Sequence, residues 1–348
     1  MEIFWFIGLT LMLTTYVILD GFDLGAGIIH LLVAKTDTER RTVLNAIGPV
    51  WDGNEVWLLA SGGVLFFAFP AIYASSFSGF YLPLMIVLWL LMLRGIGIEL
   101  RSHIRHPMWC SLWDVVFSGA SILLAIFFGA ALGNIVRGVP LNAEGYFFEP
   151  LWTTFTVVPE AGILDWFTVL MGLVAFTTLL VHGANFIAMK TEGTVQERAR
   201  NIAFLVSWPV VVLSAMALIA ASFIHPEIWN NYFAHVWGLI FPILGVAGIV
   251  GVMVFNKKQN DTAAFLSSAL FIFGMGVATA FGLFPVILPA STGAQYSLTI
   301  YNSAAGAHGL GVGVVWWVIG IILAIGYFSF LFYMFRGKVT LQEEKGGY

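Results

Sequence analysis

Charge is what this chain has least of. Only 10% of its 348 residues are Asp, Glu, Lys or Arg, while 59% are hydrophobic and the mean hydropathy is +0.92. Soluble globular domains carry about 25% charged residues, so that class is excluded and a polytopic membrane protein is expected. Cysteine is nearly absent. The single Cys110 excludes an internal disulfide framework and a cysteine-ligated metal site, and reads as a small buried or interfacial residue. There is no Walker loop, dinucleotide fingerprint, zinc-ligand spacing or nucleophile elbow, so a soluble-type active site is not expected. The N-terminus lacks a basic region and a small-residue cleavage site, so the first apolar run, from Ile3, is expected to remain as a span. Nothing in the formal net charge of −4 suggests a nucleic-acid partner.

What the chain does have is apolar runs of about twenty residues, the length of a membrane-spanning helix. They fall near Ile3–Leu32, Val56–Pro70, Phe77–Leu100, Asp114–Val136, Asp165–Met189, Ile202–Ile224, Tyr232–Phe255, Thr262–Val286 and Gly309–Phe335. The second is too short unless its helix begins near Leu44 or Gly48. The expected architecture is all-α: nine transmembrane helices, arranged as two four-helix bundles plus one peripheral helix. Residues 1–137 form the first bundle, 138–162 an outer connection and 163–287 the second bundle. An outer loop and ninth helix follow at 288–336, then a cytoplasmic tail at 337–348.

The basic residues set an orientation. Thirteen of the fifteen Lys and Arg fall in alternate loops and the tail: Lys35, Arg40, Arg41, Arg101, Arg105, Lys190, Arg198, Arg200, Lys257, Lys258, Arg336, Lys338 and Lys345. The other loops hold only Arg137, and Arg94 lies within a span. By the positive-inside rule the N-terminus is outside and the C-terminus cytoplasmic. The outer connection is acidic, with Glu144, Glu149 and Glu160.

Within this frame the carboxylates of the first four spans gather toward the cytoplasmic side. Asp20 and Asp23 lie about 25–30 Å along the first span at 1.5 Å per residue. Asp52 and Glu55, three residues apart, share a face at the start of the second span. Glu99 ends the third and Asp114 begins the fourth. Acids in lipid are costly unless paired, hydrated or protonated. Asp20, Asp23, Asp52, Glu55, Glu99 and Asp114 are therefore candidates for a water-lined proton path or a cation site, with Arg94, Trp51 and Asn54 in support. The plainer reading makes Asp52 and Asp114 helix caps and pairs Glu99 with His103. Set against six acids, the single intramembrane Arg94 leaves too little compensating charge for that reading.

The seven histidines invite a haem reading, but no two spans offer a His pair at matched mid-membrane depth. His182 reads as a helix-contact residue rather than a ligand. Trp51, Trp57, Trp109 and Trp113 sit where an interfacial aromatic belt belongs. Gly21, Gly25 and Gly27, and likewise Gly62 and Gly63, are expected to let helices approach closely.

Several blocks carry a resemblance: Asp20-Gly21-Phe22-Asp23-Leu24-Gly25, Glu39-Arg40-Arg41, the run Asn45 to Leu58 containing Trp51-Asp52-Gly53-Asn54-Glu55-Val56-Trp57, Phe77 to Tyr81, and Phe284 to Thr292. Together they resemble subunit II of the cytochrome bd-type ubiquinol oxidases over nearly the whole chain. The resemblance implies a respiratory complex of the bacterial plasma membrane that oxidises quinol and reduces dioxygen to water. It places two haems b, haem d and the quinol-oxidising loop in a partner, subunit I, and expects no haem or metal in this chain. It allows a small single-helix accessory subunit, and a structural quinone or lipid. It also implies a proton path through acids matching Asp23, Asp52, Glu99 and Asp114. On that path Asp52 is expected to be the central carrier, flanked by Asp23 and Asp114, with Glu99 a weaker member. A secondary proton- or cation-coupled transporter is the rival reading, and a purely structural assembly subunit a third. A transporter would want broken helices around a midplane site.

The loop charges make a direct prediction. Reporter fusions after Arg41, Arg200 and Arg336 should report cytoplasm, and fusions between residues 144 and 159 the outer side. A cytoplasmic signal from that connection would overturn the orientation.

Overall fold

The computed structural model describes residues 1–157 and 161–339. Glu160 of the acidic connection and Lys345 of the tail lie outside the described residues. Twelve α-helices follow in order: α1 (Glu2–Val33), α2 (Asp37–Ile47), α3 (Trp51–Ala68), α4 (Pro70–Gly79), α5 (Tyr81–Leu100), α6 (Pro107–Arg137), α7 (Trp166–Lys190), α8 (Gly193–Ile224), α9 (Asn230–Ala234), α10 (Ile240–Lys257), α11 (Asp261–Leu283) and α12 (Ala307–Met334). A small antiparallel pair, β1 (Val286–Leu288) with β2 (Leu298–Thr299), lies between α11 and α12. Among the described residues, eight helices are long and apolar enough to cross a membrane. The expected ninth, α3, is 18 residues long, about 27 Å, but its first turns hold Asp52, Asn54 and Glu55 and lower its apolarity.

Several expected boundaries shift, each for a local reason. The second span does not begin near Leu44. That stretch is α2, a separate polar helix whose Thr36 and Glu39 form a capping box. Gly48 and Pro49 then interrupt the helix, because proline lacks an N–H and disfavours helical geometry in the residue before it. Pro70 ends α3 in the same way and opens α4 at its first position. The helix expected from Phe77 is split at Phe80, where Pro83 offers no N–H to the Gly79 carbonyl, and α5 starts at Tyr81. Tyr232 belongs to the short α9 rather than to α10, and Val286 to β1 rather than to α11.

Helix α1 is the centre of the assembly. It packs against α3 and α6 from the first half of the chain and against α7, α8 and α11 from the second. Every residue from Asp20 to His30 is buried, so this half of α1 is enclosed on all sides. The matching stretch of α7, Leu179 to Ala188, is also wholly buried. The two helices cross where Gly25 meets Gly183. A Cβ on Gly25 would lie 2.0 Å from the Leu179 carbonyl oxygen and 2.7 Å from Gly183 Cα, so neither position admits a side chain. Gly21 and Gly27 are similarly pressed by Leu179 and Ser121. Gly62 and Gly63 differ: nothing lies within 4 Å of a Cβ at either, because they point away from the rest of this chain. The close-approach role expected of them is not found here. Helix α12 is peripheral, with Leu310 its one buried residue.

Ion pairs secure both ends of the bundle. At the end carrying the basic loops, Glu39 of α2 accepts from Thr194 Oγ1 at 2.8 Å and from Arg198 of α8 at 3.0 Å. Burial opposes ionisation of Glu39, but the amides of Lys35 and Thr36, Thr194 and Arg198 outweigh it and hold its carboxyl down to about 2. At the other end Arg137 is gripped by Glu149 and Asp165 and donates to Asn134 Oδ1 at 2.7 Å and the Gly162 carbonyl at 2.9 Å. This ties the connection after α6 to the start of α7. Burial pushes Glu149 up to about 7 in spite of Arg137, and the charge of Asp165 adds to the rise.

The glycine crossing yields a contrast that thermal unfolding of the purified protein in detergent can check. Gly25→Val should force α1 and α7 apart and cost roughly 3 kcal/mol, as overpacking does. Gly62→Ala should be neutral or stabilising by about 0.5–1 kcal/mol, the helix-propensity gain.

Candidate functional site

The candidate acids fall into two layers stacked toward the basic end. In the deeper layer Arg94 of α5 donates from Nη1 to Asp20 Oδ1 of α1 at 2.6 Å and from Nη2 to Glu55 Oε2 of α3 at 2.8 Å. Asn54 Nδ2 donates to Asp23 Oδ2 at 2.7 Å and to the Leu19 carbonyl at 3.3 Å. The helix periods explain the gathering: Asp20 with Asp23 on α1, and Asn54 beside Glu55 in the first turns of α3, turn toward the one guanidinium on α5. Arg94 and Asp20 are fully buried, and Glu55 is about a fifth exposed. Trp51 lies across Gly95, where a Cβ would come within 3.3 Å of its ring, so the indole packs α3 onto α5 beside the ion pairs.

In the second layer Asp114 of α6 accepts from His30 Nε2 at 2.7 Å, from Arg101 Nε at 2.6 Å and Nη2 at 3.2 Å, and from Arg40 Nη1 at 2.9 Å. Arg101 Nη2 also reaches Asp37 of α2 at 2.7 Å. Arg101 follows Arg94 by seven residues and His30 follows Asp23 by seven. Two helical turns, about 10.5 Å, therefore separate the layers on both helices.

The structure thus brings Asp20, Asp23, Glu55, Asn54 and Arg94 together and sets Asp114 in a layer of its own. Three expectations need correction. The compensating charge is not Arg94 alone, because Arg40 and Arg101, which lie just beyond the spans in sequence, reach back to Asp114. Asp52 is exposed in the first turn of α3, whereas Glu55, three residues on, is held by Arg94. Glu99 does not pair with His103 through its side chain; the His103 ring meets the Glu99 backbone carbonyl at 2.9 Å. Among the described residues no hydrogen bond or ion pair reaches the carboxylates of Asp52 or Glu99. Sequence reasoning missed His30, Arg40, Arg101 and Asp37. The repeated spacing of seven on α1 and α5 was the available signal.

Several buried polar atoms of the deeper layer have no hydrogen-bond partner among the described residues: Asp20 Oδ2, Asp23 Oδ1, Asn54 Oδ1, Arg94 Nε and, beside them, Trp57 Nε1. Buried polar atoms of this kind are ordinarily served by water. His182 belongs to neither layer. Its Nδ1 meets Ser268 Oγ at 2.7 Å and its Nε2 the Ile18 carbonyl at 2.8 Å, so both ring nitrogens are engaged and the residue does not fit an axial haem ligand.

The class these features define is a polytopic α-helical membrane protein with a buried stack of charged side chains toward its basic end. The comparisons narrow it. The sequence model of the family described as cytochrome bd terminal oxidase subunit II matches residues 1–335. The chain is 32% identical over 352 residues to a probable cytochrome oxidase subunit 2 of Haemophilus influenzae, covering 93% of this chain and 91% of the relative. It is 30% identical to the cytochrome bd-I ubiquinol oxidase subunit 2 of Escherichia coli K12, covering 97% and 95% of the two chains. The identity is also 30% to the cytochrome bd ubiquinol oxidase subunit 2 of Bacillus subtilis, with 97% of each covered. In fold it matches a chain of the bd oxidase of Geobacillus thermodenitrificans with a TM-score of 0.74 at 18% identity, covering 96% of this chain and 98% of that one. The chain belongs to the cytochrome bd terminal oxidase subunit II family.

The deeper layer makes an energetic prediction. Arg94→Met leaves Asp20 buried without its cation and should cost about 3–5 kcal/mol of stability, read by unfolding in detergent. Adding Asp20→Asn should recover a substantial part of that loss. If the double variant is no more stable than the single one, the ion pair is not what Arg94 contributes.

Proposed function

We propose that this chain is subunit II of a quinol oxidase of the bacterial plasma membrane, and that it carries protons from the cytoplasmic side toward the site where dioxygen is reduced. Its partner is subunit I, which on this reading holds two haems b and haem d and oxidises the quinol. The names of the relatives and the family match support the oxidase. What supports the proton path is the stack itself: carboxylates in two layers along α1, running inward from the end that bears the basic loops.

In this reading the basic loops face the cytoplasm, the N-terminus is outside, and α3 crosses as a ninth span. Asp52 and Glu99, unpaired at the rim, are the entrance. Asp23 is the carrier, because one of its oxygens accepts from Asn54 while the other has no partner among the described residues. Asp20 and Glu55 are held by Arg94, which fixes the geometry of the passage. Reduction of dioxygen consumes protons. Drawing them from the cytoplasm while quinol releases its own outside builds a proton-motive force, worth about 2.3 kcal/mol per charge at 100 mV. The transporter reading finds no support in the helix break between α3 and α4, which lies at the opposite end from the acids.

The test uses the purified complex. Asn keeps the shape of Asp but cannot exchange a proton, so Asp23→Asn should lower quinol-driven oxygen consumption by about tenfold or more with haem spectra unchanged. Asp52→Asn should act in the same direction. Full turnover by an assembled Asp23→Asn complex would remove the proton path and leave a structural subunit.

A further inference from the structure

We infer that His30 is a proton-relay residue linking the Asp114 layer to Asp23. The inference rests on the proton-path reading above and adds to it a group that family resemblance does not supply.

The geometry singles out His30 within its layer. Both oxygens of Asp114 are occupied, Oδ1 by His30 Nε2 and Arg101 Nε, Oδ2 by Arg40 Nη1 and Arg101 Nη2. A carboxylate so fully engaged is an anchor, with no open position through which to pass a proton. His30 is itself completely buried, yet its Nδ1 has no hydrogen-bond partner among the described residues. The charged groups that act on it are Asp114 from α6, Arg101 after α5 and Arg40 from α2, and the Phe117 ring of α6 packs against it. Asp114 therefore fixes the ring by one nitrogen and leaves the other to exchange.

The way from His30 to Asp23 runs along one face of α1, two turns long. Gly27 lies between them on that face, and a Cβ there would fall 2.1 Å from Ser121 Oγ. The Ser121 hydroxyl, fully buried and bonded to its own helix at the Phe117 carbonyl, is thus pressed against α1 midway between the two groups. With Nε2–H donated to Asp114, Nδ1 is the exchange atom. It binds one proton to give an imidazolium beside the Asp114 carboxylate, and releases that same proton toward Asp23, with the Ser121 hydroxyl and water as the intervening groups. No heavy-atom bond changes, and no redox partner is needed.

The experiment is a pH profile of quinol-driven oxygen consumption by the purified complex carrying His30→Gln, with Asp23→Asn and Ser121→Ala measured alongside. The parental profile should contain a limb from one titrating group that the His30 variants lack. His30→Gln should remove that limb and lower the rate several-fold with haem content unchanged, and added imidazole should restore part of the rate in His30→Ala. A purely structural role would lower the rate without altering the shape of the profile, and either that result or a parental rate and profile overturns the inference. Should His30→Gln fail to assemble, Ser121→Ala decides: several-fold slowing supports the relay, and a parental rate overturns it. If Asp23→Asn slows turnover while the His30 and Ser121 variants do not, the relay falls and the path stands; if none of them slows it, both fall.

Discussion

The deeper layer of acids depends on one guanidinium. Arg94 sits in the middle of a membrane helix and joins Asp20 of α1 to Glu55 of α3. Each of these groups alone would be expensive to bury in lipid, and each becomes tolerable only because the others are there. The geometry that satisfies Arg94 also decides where Asp23 and Asn54 can be, since they occupy the adjoining turns of the same two helices. A small amount of charge thus determines the arrangement of three helices that are otherwise coated with interchangeable apolar side chains.

The glycine crossing has the complementary role. Apolar surface gives α1 no reason to prefer α7 over lipid, because lipid tails are as apolar as leucine. Close backbone approach does give one, and Gly25 against Gly183 permits it. Ion pairs therefore fix which helices meet on one side of α1, and shape fixes it on the other. Helix α1 is buried all round at this level because both mechanisms act on it at once.

Much of this was legible in the chain, for physical reasons that differ by feature. The spans could be placed because twenty apolar residues have few uses outside a membrane, and the acids stood out because so few charges surround them. The partners of Asp114 did not stand out. Arg40, Arg101 and His30 come from three different elements, and counting charge by span puts both arginines in loops, although their long side chains reach back into the helical layer. Of the two starts that length allowed for the second span, Leu44 falls inside α2, because Gly48-Pro49 and the capping box at Thr36 make α2 a separate helix, and Gly48 lies three residues before the observed start at Trp51. Gly62 and Gly63 have the spacing of a packing motif but face away from this chain, a distinction that periodicity cannot make without knowing which face is inward. Asp52 shows the same limit: its place at a helix start was clear, its exposure was not.

The Arg94 pair also has a consequence for how the protein is made. Asp20 and Arg94 are separated by 74 positions in the chain. At about 5–20 residues per second, synthesis delivers Arg94 roughly 4 to 15 s after Asp20. Through that interval Asp20 has not met its cation, and α1 cannot settle at full depth in hydrocarbon at low cost. Its final seat against α7 must wait longer still, since Gly183 is made after Arg94. The first helix to leave the ribosome is thus among the last to find its place, and the machinery that inserts this chain must hold α1 in a polar setting until α3 and α5 arrive.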